Sequence, residues 1–431
     1  MLSLIKNKIF TAIFFCCFFL LLKVQAQEST FYTSYTTAEK RGKVHKNLMN
    51  LIHRNLSLPL NDATEEKWED AMATLQILQY NSTEIKERIT YAFDSFHVRN
   101  PDFQTALLQL AHANYPGEFK PRLRNILQSR LSPGLFILSA ADLLVTPSAD
   151  DLSLIQKLIH FKFCTASDSM PAFCLLNQQI NEIQFSSQSF SDRKLLKDIL
   201  KKSFLPNETV VYSFQRKDRN YPGMAIIRNK EGKFIRDSAG EVFNVAQLAR
   251  SINNLPFYLK TGNTPQGIYR MAGFGVSMNN SIGPTPNIRM MMPNEVSVQK
   301  FFNDSTRKDS IWTIEKYRNL LPVPLYNYEP LLQSYYAGLI GRTEIISHGT
   351  TVDPEYYLHK PYYPQTPSEG CLSTFELWSG KRVASDQQLL VYALLKAGGA
   401  SGYCVVIELD DKKEKVTLDE LLPYIKQAEQ R

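Results

Sequence analysis

Between residues 61 and 200 the apolar positions recur every three or four residues, the period of helices with one buried face. Ile85, Ile89, Phe93 and Phe96 form one such stripe; Phe103, Ala106, Leu107 and Leu110 form the next. Start signals agree with the stripes. Asp62, with Glu65 three residues on, predicts a capped helix running to Tyr80. Asn100-Pro101 and Ser132-Pro133 each pair a capping side chain with a proline at the first helical position, where the missing N–H costs nothing. Both segments stop before another proline (Pro116 and Pro147), and their starts lie 32 residues apart. That offset fits helical pairs stacked as a solenoid, and an irregular helical bundle fits it equally.

After Pro206 the period shortens to two. Residues 210–214 and 224–228 read as strands, followed by the turn signal Asn229-Lys230-Glu231-Gly232. Residues 245–253 predict a helix. Residues 255–292, rich in Gly, Pro and Asn between short apolar runs, predict β structure with long loops, and Met290-Met291-Met292 at their end read as core or cleft wall. Residues 344–347 and 404–409 predict two more strands, residues 387–397 a helix stopped at Gly398-Gly399, and residues 418–427 a last helix. The expected organisation is α+β and multidomain: a leader over residues 1–26, an all-α domain over 27–204, a β-rich domain over 205–410 and a polar tail over 411–431.

The leader is expected from Lys6 and Lys8, an apolar run over residues 9–22, and small or β-branched residues around Ala26. Fourteen apolar residues make a helix of about 21 Å, short of a hydrocarbon core of about 30 Å, so cleavage is expected rather than a membrane span. Cys16 and Cys17 follow bulky phenylalanines, which argues against lipid attachment. The formal charge is +7, three of it from Lys6, Lys8 and Lys23, and no block of like charge remains to hold a nucleic acid. Export changes the reading of the remaining cysteines. Cys164 and Cys174 either pair or stay thiols, and Cys404 sits in an apolar strand pattern as a small hydrophobe.

Cys371 has a different neighbourhood. His348-Gly349-Thr350 ends a predicted strand, and Ser368-Glu369-Gly370-Cys371 follows, with histidine and cysteine 23 residues apart. A thiol attacks an acyl carbon as thiolate, and a histidine within reach takes the proton and returns it to the leaving amine. Gly370 permits a tight turn whose amides can face an oxyanion. No His-x-x-x-His, Cys-x-x-Cys or phosphate-cradling glycine loop is present, so no metal or cofactor is called for.

These residues resemble the signature of the L,D-transpeptidase (YkuD-like) catalytic domain, which carries His-Gly-Thr followed by Ser-His-Gly-Cys. Residues 263–270, Asn-Thr-Pro-Gln-Gly-Ile-Tyr-Arg, resemble that family's Thr-Pro-x-Gly-x-Tyr motif in the expected order. The likeness spans roughly residues 205–410 and implies an exported, cofactor-free cysteine acyltransferase acting on peptidoglycan stem peptides. Residue by residue it implies Cys371 as nucleophile and His348 as base. It implies the Gly349 carbonyl as orienter of the imidazole, and the Gly370 and Cys371 amides as the oxyanion hole. Ser368, Glu369, Ser373 and Arg342 are expected to line the substrate site. Glu369 replaces the usual histidine, Ser373 the usual Arg or Asn, and the His-to-Cys gap is longer than usual. Arg342 and Lys360 are candidate partners for Glu369, and Arg270, Arg289 and Arg342 candidate binders of a substrate carboxylate.

The inserted residues 352–367 carry Tyr356, Tyr357, Tyr362 and Tyr363, readable as a lid or as a loop packing its own rings. His359 within them is the alternative base, without the strand and the Gly-Thr. Hydrolysis of the same bond, as in an L,D-carboxypeptidase or amidase, and an inactive wall-binding module are the other functional readings. A caspase-like site needs a gap of about 50 residues, and a papain-like site needs the cysteine first.

Overall fold

The computed structural model describes residues 37–167, 170–185, 193–277, 279 and 281–430; the predicted leader and the side chain of Cys164 lie outside the described residues. The N-terminal region is helical: α1 Ala38–Leu56, α2 Glu65–Leu78, α3 Thr83–Asp94, α4 Pro101–Asn114, α5 Lys120–Gln128, α6 Pro133–Leu143, α7 Ala149–Ser167 and α8 Pro171–Phe185. The predicted caps form where capping side chains precede the stripes. Asn100 accepts from the Phe103 N–H and Ser132 from the Leu135 N–H, each with proline following. The start of α2 differs from expectation. Thr64, not Asp62, is its N-cap, and it makes no side-chain cap bond. Glu65 is instead drawn to Arg99 (2.9 Å) and to Asn100, joining the start of α2 to the start of α4. An ion pair with a half-buried arginine outcompetes a local capping box.

Helices α2, α4, α6 and α8 pack on one another in succession, while α5 packs on α7 behind them. Neighbouring helices therefore pack as successive pairs. Their core runs from Ile52 and Trp68 through Phe103 and Leu107, and a second cluster gathers Phe136, Ile155 and Phe173.

The remainder is built on one eight-stranded mixed sheet. Its strands are β1 Thr209–Gln215, β2 Gly223–Arg228, β3 Asn244–Gln247, β4 Gly267–Gly275, β5 Asn287–Met291, β6 Ile346–His348, β7 Leu372–Ser373 and β10 Ser401–Glu408, in the order β3-β2-β1-β10-β4-β5-β6-β7. β8 Glu376–Trp378 and β9 Arg382–Ser385 form a separate hairpin. β1 pairs in parallel with β10, and β6 with β7. Alternate residues go to opposite faces. Val210, Tyr212, Phe214, Tyr403, Val405 and Ile407 pack on α9 Arg193–Ile199 and α14 Leu418–Glu429, together with α10 Val298–Phe302, α11 Ile314–Arg318 and α12 Gln333–Leu339. Val211, Cys404 and Val406 face the other way, under α13 Asp386–Lys396. The chain is therefore α+β, helical first and mostly β afterwards, with helices covering both faces of the sheet. Leu421 and Ile425 of the polar tail belong to that core.

The helix expected at residues 245–253 is absent: residues 244–247 are strand β3, paired antiparallel with β2. The reason is tertiary. Val245 and Ala249 are buried under α13, and Gln247 donates to Ser347 Oγ at 3.1 Å. Leu248 and Ser251 then bridge to Ser373 and Ser368, so this stretch flanks the Cys371 turn.

Candidate active site

His348 ends β6 and Cys371 directly precedes β7. The register pairs Ser347 with Leu372 and His348 with Ser373, which sets Cys371 opposite Ile346. Alternation along both strands then puts Ile346, His348 and Cys371 on one face of the sheet, and the pairing of Arg289 with Ile346 adds Arg289 to that face. Arg289 is exposed.

The imidazole is buried, and its Nδ1 lies 2.7 Å from the Gly349 carbonyl oxygen. A carbonyl only accepts, so Nδ1 carries the hydrogen and the neutral ring keeps its lone pair on Nε2. Burial holds His348 below its ordinary pKa, with the Gly349 hydrogen bond opposing. The His348 carbonyl accepts from Thr374 N at 3.0 Å, and Gln387 bonds the Ser347 carbonyl at 3.1 Å, pinning the end of β6. Gly349 is required for space: a Cβ there would collide with the Glu376 carboxylate. Burial raises the pKa of that carboxylate, against a hydrogen bond from Thr285.

Cys371 is half-buried. Its sulfur accepts from Ile346 N at 3.5 Å and lies 3.6 Å from the Glu344 carbonyl oxygen. Both contacts are on the Glu344 side of the sulfur, whereas His348 lies two residues further along β6. The thiol and imidazole thus share a face of adjacent strands, without a hydrogen bond between them in this state. Burial pushes the thiol up to about 11; the Ile346 amide and Arg342 pull it down, and Glu369 and Glu344 push it further up.

Gly370 has φ +111°, open to glycine and strained for other residues, and the place of its absent Cβ is taken by the Arg342 guanidinium and the Gly262 carbonyl. Its own carbonyl accepts from Thr264 Oγ1 at 2.9 Å. Ser368 clasps the turn, donating to the Cys371 carbonyl at 2.9 Å and accepting from Gly370 N at 3.3 Å. Glu369 is exposed. Ser373 is fully buried and donates to the Thr366 carbonyl at 2.6 Å. Arg342 is buried too, donating to the Phe257, Gly262 and Asn263 carbonyls at 2.6 to 2.9 Å. As placed, Ser373 and Arg342 act from behind the surface, while Ser368 and Glu369 lie beside the sulfur.

Arg270 is paired with Glu208 at 3.0 Å and stacked over Tyr403, on the side of the sheet covered by α14. Sequence reasoning missed Arg250 and Gln247, because residues 245–253 read as a helix. Thr264 was within the quoted motif without a role. In the inserted segment, Tyr357 and Tyr362 are buried against each other, Tyr357 Oη donates to the Ile77 carbonyl at 2.8 Å, and Arg250 stacks on Tyr362. These two tyrosines anchor the segment to α2 and leave Tyr363 and His359 exposed.

Two cavities, of about 420 and 560 Å³, lie elsewhere: one between α6, α8 and residues 254–264, the other beside residues 319–324. Half-buried Cys371 lines neither of them. Among the described residues no cluster of three or more His, Cys, Asp or Glu side chains could hold a metal ion, and no helix is long and apolar enough to cross a membrane. Compared with family models, curated proteins and solved structures, the chain finds no match in any of the three.

Proposed function

We propose that the protein is an exported cysteine acyltransferase of the L,D-transpeptidase type, acting on peptidoglycan stem peptides in the periplasm or cell envelope. The observation that carries this reading is the 2.7 Å contact of His348 Nδ1 with the Gly349 carbonyl, on the strand beside Cys371. It leaves Nε2 as the basic nitrogen, and a rotation of the cysteine side chain turns the sulfur toward it. The proton then passes from Sγ to Nε2, and the sulfur attacks the carbonyl carbon of the L-to-D peptide bond. The C–S bond forms as the C–N bond breaks, and His348 returns the proton to the departing amine. An acceptor amine then displaces the thioester and frees the thiol. Where water is the acceptor the outcome is hydrolysis. Exposed Arg289, on the same face, is suited to hold a stem carboxylate.

The test is incubation of protein lacking residues 1–26 with tetrapeptide-rich sacculi, followed by muropeptide profiling. New cross-linked or trimmed species are expected, and they should vanish in Cys371→Ala. An unchanged profile from folded protein overturns the proposal. Intact mass after a carbapenem separates the enzyme from a wall-binding module, which acquires no adduct at Cys371.

A further inference from the structure

We propose that Arg342 is the positioning cation of the Cys371 thiolate: a buried guanidinium bound by carbonyls and lodged where Gly370 lacks a Cβ, one residue from the sulfur. This rests on the reading of Cys371 as nucleophile.

The inference comes from comparing the buried arginines. Arg216 pairs with Asp410 and Glu420, Arg219 with Glu408, and Arg270 with Glu208. Three others bind carbonyls instead. Arg228 takes those of residues 200, 201, 204 and 205, at and beyond the C-terminal end of α9, and stacks over Tyr212. Arg250 stacks on Tyr362 and feels Asp218. Arg342 has neither a ring beneath it nor a carboxylate; the titratable groups facing it are Tyr269 and Cys371. Tyr269 donates its hydroxyl to the Pro265 carbonyl and is fully buried, its pKa raised far above the ordinary value, so it stays neutral. The remaining group that can supply a negative charge is the sulfur.

Removing a guanidinium from water costs several kcal/mol unless an opposite charge compensates. Carbonyl dipoles offset part of this in the resting thiol state. When Cys371 loses its proton, the missing anion appears beside the cation. The turn explains the neighbourhood: a side chain at residue 370 would push the guanidinium away from residue 371. Glu369 and Glu344, the carboxylates that act on the sulfur, work in the opposite direction.

The experiment follows iodoacetamide labelling of the protein lacking residues 1–26 against pH, with the Cys371 peptide quantified by mass spectrometry apart from those of Cys164, Cys174 and Cys404. Labelling reads the thiol and requires no substrate, so it is decided separately from the peptidoglycan reading. An opposite charge within about 4–6 Å moves an ionisation by about one unit or more. The half-labelling pH of Cys371 should rise by that amount in Arg342→Met and fall in Glu369→Gln. It should stay near wild type in Arg342→Lys, which keeps the charge but not the fork. A folded Arg342→Met variant with an unmoved profile overturns the proposal. Should Arg342→Met fail to fold, Arg342→Lys decides, and a rise of about one unit there overturns it equally.

Discussion

At single residues, Gly370 and His348 carry the sharpest expectations. Gly370→Ala must place a Cβ where Arg342 and Gly262 sit, at a φ that side chains avoid. A cost of about 1–3 kcal/mol is expected from the backbone alone, read as a lower melting temperature together with slower labelling of Cys371. For His348, burial depresses the folded pKa. Protonation therefore disfavours the folded state. The stability tied to the neutral ring is present above the unfolded pKa and is lost as pH falls toward the folded value. Turnover should accordingly persist below the ordinary histidine range on its acid limb. An NMR titration of the His348 ring placing its midpoint at or above the value of a free histidine would refute this. Both residues were identifiable from the chain because each is a chemical type with few substitutes. The setting of Arg342 was not legible, because three carbonyls brought from residues 257–263 define it, and no spacing in the chain encodes a contact 80 residues away.

At the scale of elements, local rules worked where local forces decide. The caps at Asn100 and Ser132 formed as the sequence predicts, and Ser132→Ala should cost about 1 kcal/mol in a denaturant titration. The rules failed at residues 245–253, whose apolar spacing suits a helix but whose Val245 and Ala249 are needed beneath α13 while β2 offers an unpaired edge. That failure hid part of the candidate site, since the same stretch braces Ser368 and Ser373. It failed again at Glu65, where a distant arginine outweighed a local amide. The inserted tyrosine segment is settled at this scale as well. Tyr357→Ala removes a ring buried beside Tyr362 and a bond to α2, and should lower stability by about 3–5 kcal/mol, the range for deleting a buried aromatic. If the segment were a freely moving flap, the change would be close to neutral.

For the molecule as a whole, the alternation of apolar residues was enough to separate a helical half from a β half. It could not reveal that both halves close on the same short piece of chain. Leu255 is buried in the core around Trp68, and Tyr258 in the core around Phe136. Gln79 bonds the Ile252 carbonyl at 3.0 Å, and His112 Nε2 lies 3.3 Å from the Asn254 carbonyl oxygen. Calorimetry should therefore show one cooperative transition for both halves; two well-separated transitions would count against it.

Residues 252–264 thus behave as a drive shaft. One end is gripped by α2, α4 and α8; the other delivers Gly262 and Thr264 to the turn that holds the sulfur. A displacement of the helices reaches the turn before Cys371 through a dozen residues of backbone, so grip at one end sets the aim at the other.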